Sequence, residues 1–235
     1  MIPIAIMAGG LGTRLGNISA NKPKSLVEIN GKPFIDWQIS LLKKQEISQI
    51  VMCVSHKAEM IMDYVGNGSR YGLEIEYSFD NPVLNGTGSA LRNAVPLLGE
   101  KFIVLYGDSY LPVDLFRITQ AFLENKYTAM MTIYKNNSEY DISNVKYLAD
   151  GSVYYKKNNS NEEFNYIDYG LNFFTSEIFS NFQGTNFLDI SEIFEALSEK
   201  KQIVSYEVYE RFFEIGSHQG IHELSKYLKE NNVNI

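Results

Sequence analysis

The chain has 235 residues and only one cysteine, Cys53, so no internal disulfide can form, which fits a reducing compartment. No apolar run approaches the ~20 residues a membrane-spanning helix needs. No basic stretch precedes the first apolar segment, as a secretory leader would require. The expected location is therefore cytoplasmic, with no membrane partner. Positive charge is also short, with 21 Lys and Arg against 28 Asp and Glu and a net charge of −7. A general nucleic-acid surface is excluded on that ground, and any polyanion must be held by local cations, dipoles or metal. There is no internal repeat, and no linker is long enough to separate independent domains.

Apolar β-rich runs alternate with helical patterns through the first half. Strands are predicted at Pro3–Met7, Gln49–Ser55, Leu73–Phe79 and Lys101–Tyr106. Helices are predicted at Lys32–Gln45, Lys57–Tyr64, Gly88–Leu98 and Val113–Asn125. That rhythm implies an α/β fold with a mainly parallel sheet flanked by helices. Consecutive apolar residues, as in "FIVLY", suit strands buried on both faces, and Cys53 in "IVMCVS" reads as a packed core residue. After about Thr128, strand-like pieces ("TAMMTIY", "NVKYL", "GSVYYKK", "YIDYGLNFF") follow one another across turn signals and suggest a small antiparallel layer attached to the same sheet. "KKNNSNEEFN" reads as a polar loop. Helices return at Ser191–Lys200 and Ser217–Lys229, with "IVSYEVY" as a strand between them.

The chemistry concentrates in "MAGGLGTRL", which follows the first strand and so lies where α/β sheets bind ligands. Gly9, Gly10 and Gly12 allow close backbone approach, so that N–H groups can point at an anion. A Rossmann fingerprint would need glycine where Leu15 stands, and a P-loop would need Gly-Lys-Ser/Thr after its glycines. Arg14 instead offers fork-like donors for phosphate oxygens. Lys22 and Lys24 flank Pro23, which biases the backbone towards extension and would project both to one side. A cation near a phosphate charge is worth roughly 4 kcal/mol at 4 Å and an effective dielectric of 20. These cations are expected to bind a phosphate chain. At the end of "FIVLYGDSY", Gly107 admits a ligand and Asp108 projects from the strand's carboxyl end. His218 and His222 are spaced i, i+4 without a third ligand and read as surface residues, and His56 has no role.

The joint spacing of "AGGLGTRL" and "NKPKSLVEINGKPFIDW" resembles the signature of the sugar-1-phosphate nucleotidyltransferases, or NDP-sugar pyrophosphorylases. "GNGSRYGLEIEYS", "NGTGSAL", "LYGDSYL" and "FFEIGSHQGI" extend the resemblance over nearly the whole chain, towards compact heptose- and mannose-1-phosphate guanylyltransferases and MurNAc-1-phosphate uridylyltransferases. The resemblance implies a Rossmann-like, glycosyltransferase-A-like fold in one domain over 1–235. About 1–127 would bind nucleotide; about 128–235 would hold the sugar phosphate and the C-terminal helices. It implies nucleotide contacts from Ala8, Gly9, Gly10, Gly12, Thr13, Arg14, Gly107 and Asp108, with Asn81 and Gly86 at the base.

By the same resemblance, Arg14 and Lys24 are catalytic, Lys22 is supporting, and Asp108 and Glu214 hold Mg²⁺. Lys24, Asn144, Lys157, Asp168 and Gly170 would face the sugar phosphate. Two departures matter. Glu214 replaces the family's aspartate, and Val83 with Asn85 lengthens the loop that reads the base. The expected substrates are an NTP and a sugar 1-phosphate, with pyrophosphate as product. GTP with a heptose- or mannose-like sugar is the pairing favoured; UTP, CTP and a non-sugar phosphate acceptor stay open. A non-catalytic sugar-nucleotide binder and a homo-oligomer stay open too, while the missing third glycine argues against a nicotinamide-dependent oxidoreductase.

Overall fold

The structure is a computed structural model that describes residues 2–10, 22–80, 86–136, 139–158 and 163–235. Its first half runs through β1 (Ile4–Met7), the short pair β2 (Glu28–Ile29) and β3 (Lys32–Pro33), α1 (Phe34–Lys44), β4 (Gln49–Val54), α2 (Ala58–Val65) and β5 (Glu74–Phe79). It continues with α3 (Thr87–Leu98), β6 (Lys101–Tyr106), β7 (Ser109–Tyr110) and α4 (Leu115–Glu124). The second half holds β8 (Ala129–Lys135), β9 (Val145–Tyr147), β10 (Val153–Tyr155), β11 (Tyr166–Thr175), α5 (Ile190–Glu199), β12 (Ile203–Val208), β13 (Phe213–Glu214) and α6 (His218–Glu230). A 3₁₀ segment at Ser176–Phe182 has no counterpart in the sequence reading.

β1 lies between β4 and β6 and runs parallel to both, and β5 continues the parallel set beyond β4. β11 runs antiparallel to β6 along Leu171–Thr175 and antiparallel to β8 on its other edge; β12 then pairs parallel with β8. The late strands thus extend the central sheet itself, with β9 and β10 at the Tyr166 end of β11. The sheet is mixed and flanked by helices, as the sequence led us to expect.

Side-chain alternation explains why both faces are covered. Ile4, Ile6, Ile103 and Leu105 pack on one side with Ile35 and Ile39 of α1, Ile61 of α2 and Phe122 of α4. Ala5, Phe102 and Val104 face the other side, against Leu91 and Ala94 of α3 and Phe194 of α5. Cys53 belongs to this second layer, and burial, then the charge of Asp80, pushes its thiol up to about 12. A third cluster joins Val27, Phe34 and Trp37 to Phe213, Leu224 and Leu228, and so clamps β13 and α6 against α1.

The first helix begins at Phe34, later than the predicted Lys32. Pro33 is extended (φ −55°, ψ 142°), and Lys32–Pro33 pairs with Glu28–Ile29. Among the described residues no helix is long and apolar enough to cross a membrane.

Where β1 and β6 end side by side, Gly107 has no room for a side chain. A Cβ there would sit 2.3 Å from the Met7 carbonyl oxygen. Gly107→Ala is expected to destabilise the protein by about 1–3 kcal/mol, the usual cost of overpacking. Chemical denaturation checks this, and an unchanged midpoint would contradict the packing.

Candidate active site

The carboxyl ends of β1, β4 and β6 open into a cleft of about 950 Å³. Ala8, Gly9 and Gly10 line it directly after β1. The Ala8 N–H donates to the Cys53 carbonyl (2.9 Å), and the Ser55 hydroxyl donates to the Gly9 carbonyl (3.0 Å). A Cβ on Gly9 would lie 3.1 Å from that hydroxyl oxygen, so the loop rests tightly on the end of β4.

Pro23 is extended, but a 3₁₀ turn starts at Lys24 and separates the two lysines. Lys24 Nζ reaches Asp108 Oδ2 at 2.9 Å inside the cleft, its side chain only 15% exposed. Lys22 Nζ lies 3.6 Å from Glu28 and is not part of the cleft wall. The expectation that both would project to one side is corrected here, because the turn after Pro23 breaks the extended spacing.

The second carboxylate arrives by a short antiparallel pairing. β13 pairs with β7, setting Glu214 opposite Ser109, and the Ile215 N–H donates to the Asp108 carbonyl (2.9 Å). The Glu214 carboxylate accepts from the Gly216 N–H and the Ser217 hydroxyl. Ser217 also caps α6, its hydroxyl oxygen accepting from the Gly220 N–H at 2.9 Å. A Cβ placed on Gly216 would lie 2.7 Å from Glu214 Oε2, 3.3 Å from Lys24 Nζ and 3.7 Å from Asp108 Oδ2. Two carboxylates and one ammonium therefore converge on a single point.

That donor set fits a hard divalent cation, which takes one or two carboxylates and completes its shell with phosphate oxygens and water. Among the described residues there is no group of three or more His, Cys, Asp or Glu that could hold a metal ion by itself. His56, His218 and His222 are exposed, and neither His218 nor His222 joins such a group.

At the other end of the cleft, β11 carries a bulge between Asp168 and Asn172, with Gly170 at φ +90°. The bulge lets the Asp168 carboxylate accept from the Gly170 N–H (3.0 Å), Asn172 Nδ2 (3.0 Å) and the Tyr106 hydroxyl (2.5 Å). Its own N–H donates to Asn144 Oδ1 (2.9 Å). Burial raises the Asp168 carboxyl above its ordinary value, against the opposing pull of these three donors. Lys157 Nζ lies 2.9 Å from Asp189 Oδ2, and both residues line the cleft.

The structure thus brings Ala8, Gly9, Gly10, Lys24, Gly86, Gly107, Asp108, Asn144, Lys157, Asp168 and Glu214 to the lining of one cleft. Gly170 is not among the lining residues, and its N–H is committed to Asp168. Gly12, Thr13, Arg14 and Asn81 lie outside the described residues. Sequence reasoning missed Tyr106, Asp189 and Arg211. Asp189 had a readable signal, since Asp189 with Glu192 three residues on is a capping-box pattern. Arg211 had none. Its guanidinium stacks on Tyr140 (4.2 Å) and pairs with Glu223, contacts made only by the folded chain.

A sequence profile of the nucleotidyl transferase family matches residues 4–231. Over 113 residues the chain is 37% identical to the D-glycero-alpha-D-manno-heptose 1-phosphate guanylyltransferase of Campylobacter jejuni; the alignment covers 48% of this chain and 50% of that protein. The chain thus spans about half the length of that curated relative. It is 30% identical over 159 residues to the N-acetylmuramate alpha-1-phosphate uridylyltransferase of Neisseria meningitidis, covering 66% of this chain and 69% of the relative. The fold is similar to HddC from Yersinia pseudotuberculosis complexed with GMP-PN, with a TM-score of 0.79 at 24% identity, covering 97% of this chain and all of the other.

Tyr106→Phe removes one of the donors that stabilise ionised Asp168, so the carboxyl should titrate at still higher pH. A carbon-13 NMR titration of the Asp168 carboxyl reads this shift. An unmoved midpoint would mean that the hydroxyl does not contribute.

Proposed function

The chain belongs to the nucleotidyl transferase family, and on that footing we propose that it transfers a nucleotidyl group from an NTP to a sugar 1-phosphate, with release of pyrophosphate. Residues of about 1–127 form the nucleotide-binding part, to which Lys24 adds an acceptor contact, and those of about 128–235 form the sugar-phosphate-binding part and the C-terminal helices. The observation that carries this reading is the convergence of Lys24, Asp108 and Glu214 around Gly216. The pairing proposed is GTP with a heptose- or mannose-like 1-phosphate; the likeness to the Campylobacter guanylyltransferase supports it. Asn81 and the Gly86 turn read the base.

The nucleophile is already an anion, so no general base and no covalent enzyme intermediate are needed. An oxygen of the acceptor phosphate forms a bond to the α-phosphorus. The bond from that phosphorus to the bridging oxygen of the β-phosphate breaks, and pyrophosphate leaves with the electron pair. Catalysis is then alignment and charge compensation. Lys24 meets the acceptor phosphate and the α-phosphate where they are crowded together. Lys157 holds the acceptor phosphate from the other side, and Arg14 holds the departing pyrophosphate.

Carboxylates outnumber cations on the described cleft lining, where Asp80, Asp108, Glu139, Asp141, Asp168, Asp189, Glu214 and Glu223 stand against Lys24, Lys157 and Arg211. A triphosphate entering such a wall requires added positive charge. Mg²⁺ held by Asp108 and Glu214 would supply that charge and offset what develops on the leaving phosphates. Before substrates enter, the Lys24 ammonium neutralises Asp108 across 2.9 Å.

Lys24→Ala and Asp108→Asn are each expected to lower turnover by about 10²–10³, the usual scale for removing a group that stabilises developing charge. Circular dichroism should show the fold intact. EDTA should abolish pyrophosphate release and added Mg²⁺ should restore it. Near-normal rates in either variant, or turnover without metal, would contradict these roles.

A further inference from the structure

We propose that Asp189 is a positioning residue that registers the acceptor phosphate against the nucleotide by aiming the Lys157 ammonium. This rests on the nucleotidyltransferase reading. The two oxygens of the Asp189 carboxylate have separate partners. Oδ1 accepts from the Ser191 N–H (2.9 Å) and the Ser191 hydroxyl (2.6 Å), which starts α5. Oδ2 is left to Lys157 Nζ (2.9 Å). The Asp189 N–H in turn donates to Glu192 Oε2 (2.7 Å), so a closed capping box fixes the carboxylate from both directions.

Lys157 is tied to the same helix at its backbone. Its N–H donates to Glu195 Oε1 (3.2 Å), while Lys156 Nζ reaches Glu195 Oε2 (3.1 Å). The start of α5 sits directly on the turn that opens α3. The Ser89 N–H donates to the Leu188 carbonyl and the Ile190 N–H donates to Thr87 Oγ1, both at 3.0 Å. Nothing fits between them, since a Cβ on Gly86 would lie 2.4 Å from the Leu188 oxygen. One rigid piece, the residues around Asp189, therefore touches the glycine turn beside the nucleotide and the lysine beside the acceptor.

Stability does not account for the ion pair. The Lys157 side chain is half exposed, and exposed pairs contribute little to folding. An ammonium has three donors. One directed to Asp189 leaves two for phosphate oxygens, in an orientation set by the helix cap.

The test is Asp189→Asn. Asparagine caps a helix as well as aspartate does, so α5 persists while the charge facing Lys157 is lost. The KM for the sugar 1-phosphate should rise roughly tenfold, the scale of one charge-assisted hydrogen bond, with the KM for the NTP and the melting temperature unchanged. In a Lys157→Met background the same substitution should add nothing further. An unchanged acceptor KM, or losses that add in the double variant, would overturn the assignment of Asp189 alone. Absence of turnover by the unaltered protein with every substrate pair would overturn the nucleotidyltransferase reading and this one with it.

Discussion

The ion pair between Lys24 and Asp108 is the contact on which the site depends. It joins a residue 24 positions into the chain to one at the end of β6, across 2.9 Å and with little solvent around the lysine. Two unit charges at such a distance attract by several kcal/mol at an effective dielectric near 20. Without Lys24, the Asp108 carboxylate would stand close to that of Glu214 with no cation between them among the described residues, and the two like charges would repel; without Asp108, the ammonium would still face Glu214. The pair keeps the cleft electrically tolerable and keeps both groups aimed at the point where phosphates would meet.

The rest of the fold can be understood as support for that point. Parallel strands deliver the ends of β1, β4 and β6 to one rim, and glycine at 107 lets β1 and β6 finish in contact. The pairing of β7 with β13 brings residue 214 back to residue 109 across a long stretch of sequence. The cluster of Trp37, Phe213, Leu224 and Leu228 clamps that pairing against α1 and α6. At the other end of the cleft, the bulge in β11 performs the corresponding task by turning the Asp168 carboxylate towards its donors.

Much of this was legible in the chain because it depends on local pattern. Consecutive apolar residues marked the buried strands, and glycine clusters marked the strand ends. Lys24 and Asp108 were singled out by their place after such signals, and they do meet. What the sequence concealed depends on long-range geometry. The extended spacing around Pro23 would project Lys22 and Lys24 to one side, but a 3₁₀ turn starts at Lys24, and of the two only Lys24 lines the cleft. Tyr106 reads as one more apolar strand residue until its hydroxyl is seen on Asp168. Arg211 finds Tyr140 and Glu223 only after three separate segments have come together. The helix α1 starts at Phe34 and not Lys32 because Lys32 and Pro33 close a local hairpin with Glu28 and Ile29, which leaves Pro33 as the residue that precedes the first helical turn.

The central claim is that one cleft clasps two phosphorylated molecules and joins them. Its most direct test is an array of NTPs against sugar 1-phosphates in Mg²⁺, read by pyrophosphate release. The account predicts release only when both partners are present, strongest for GTP with a heptose- or mannose-like 1-phosphate. Binding of nucleotide without pyrophosphate release for every pair would contradict it.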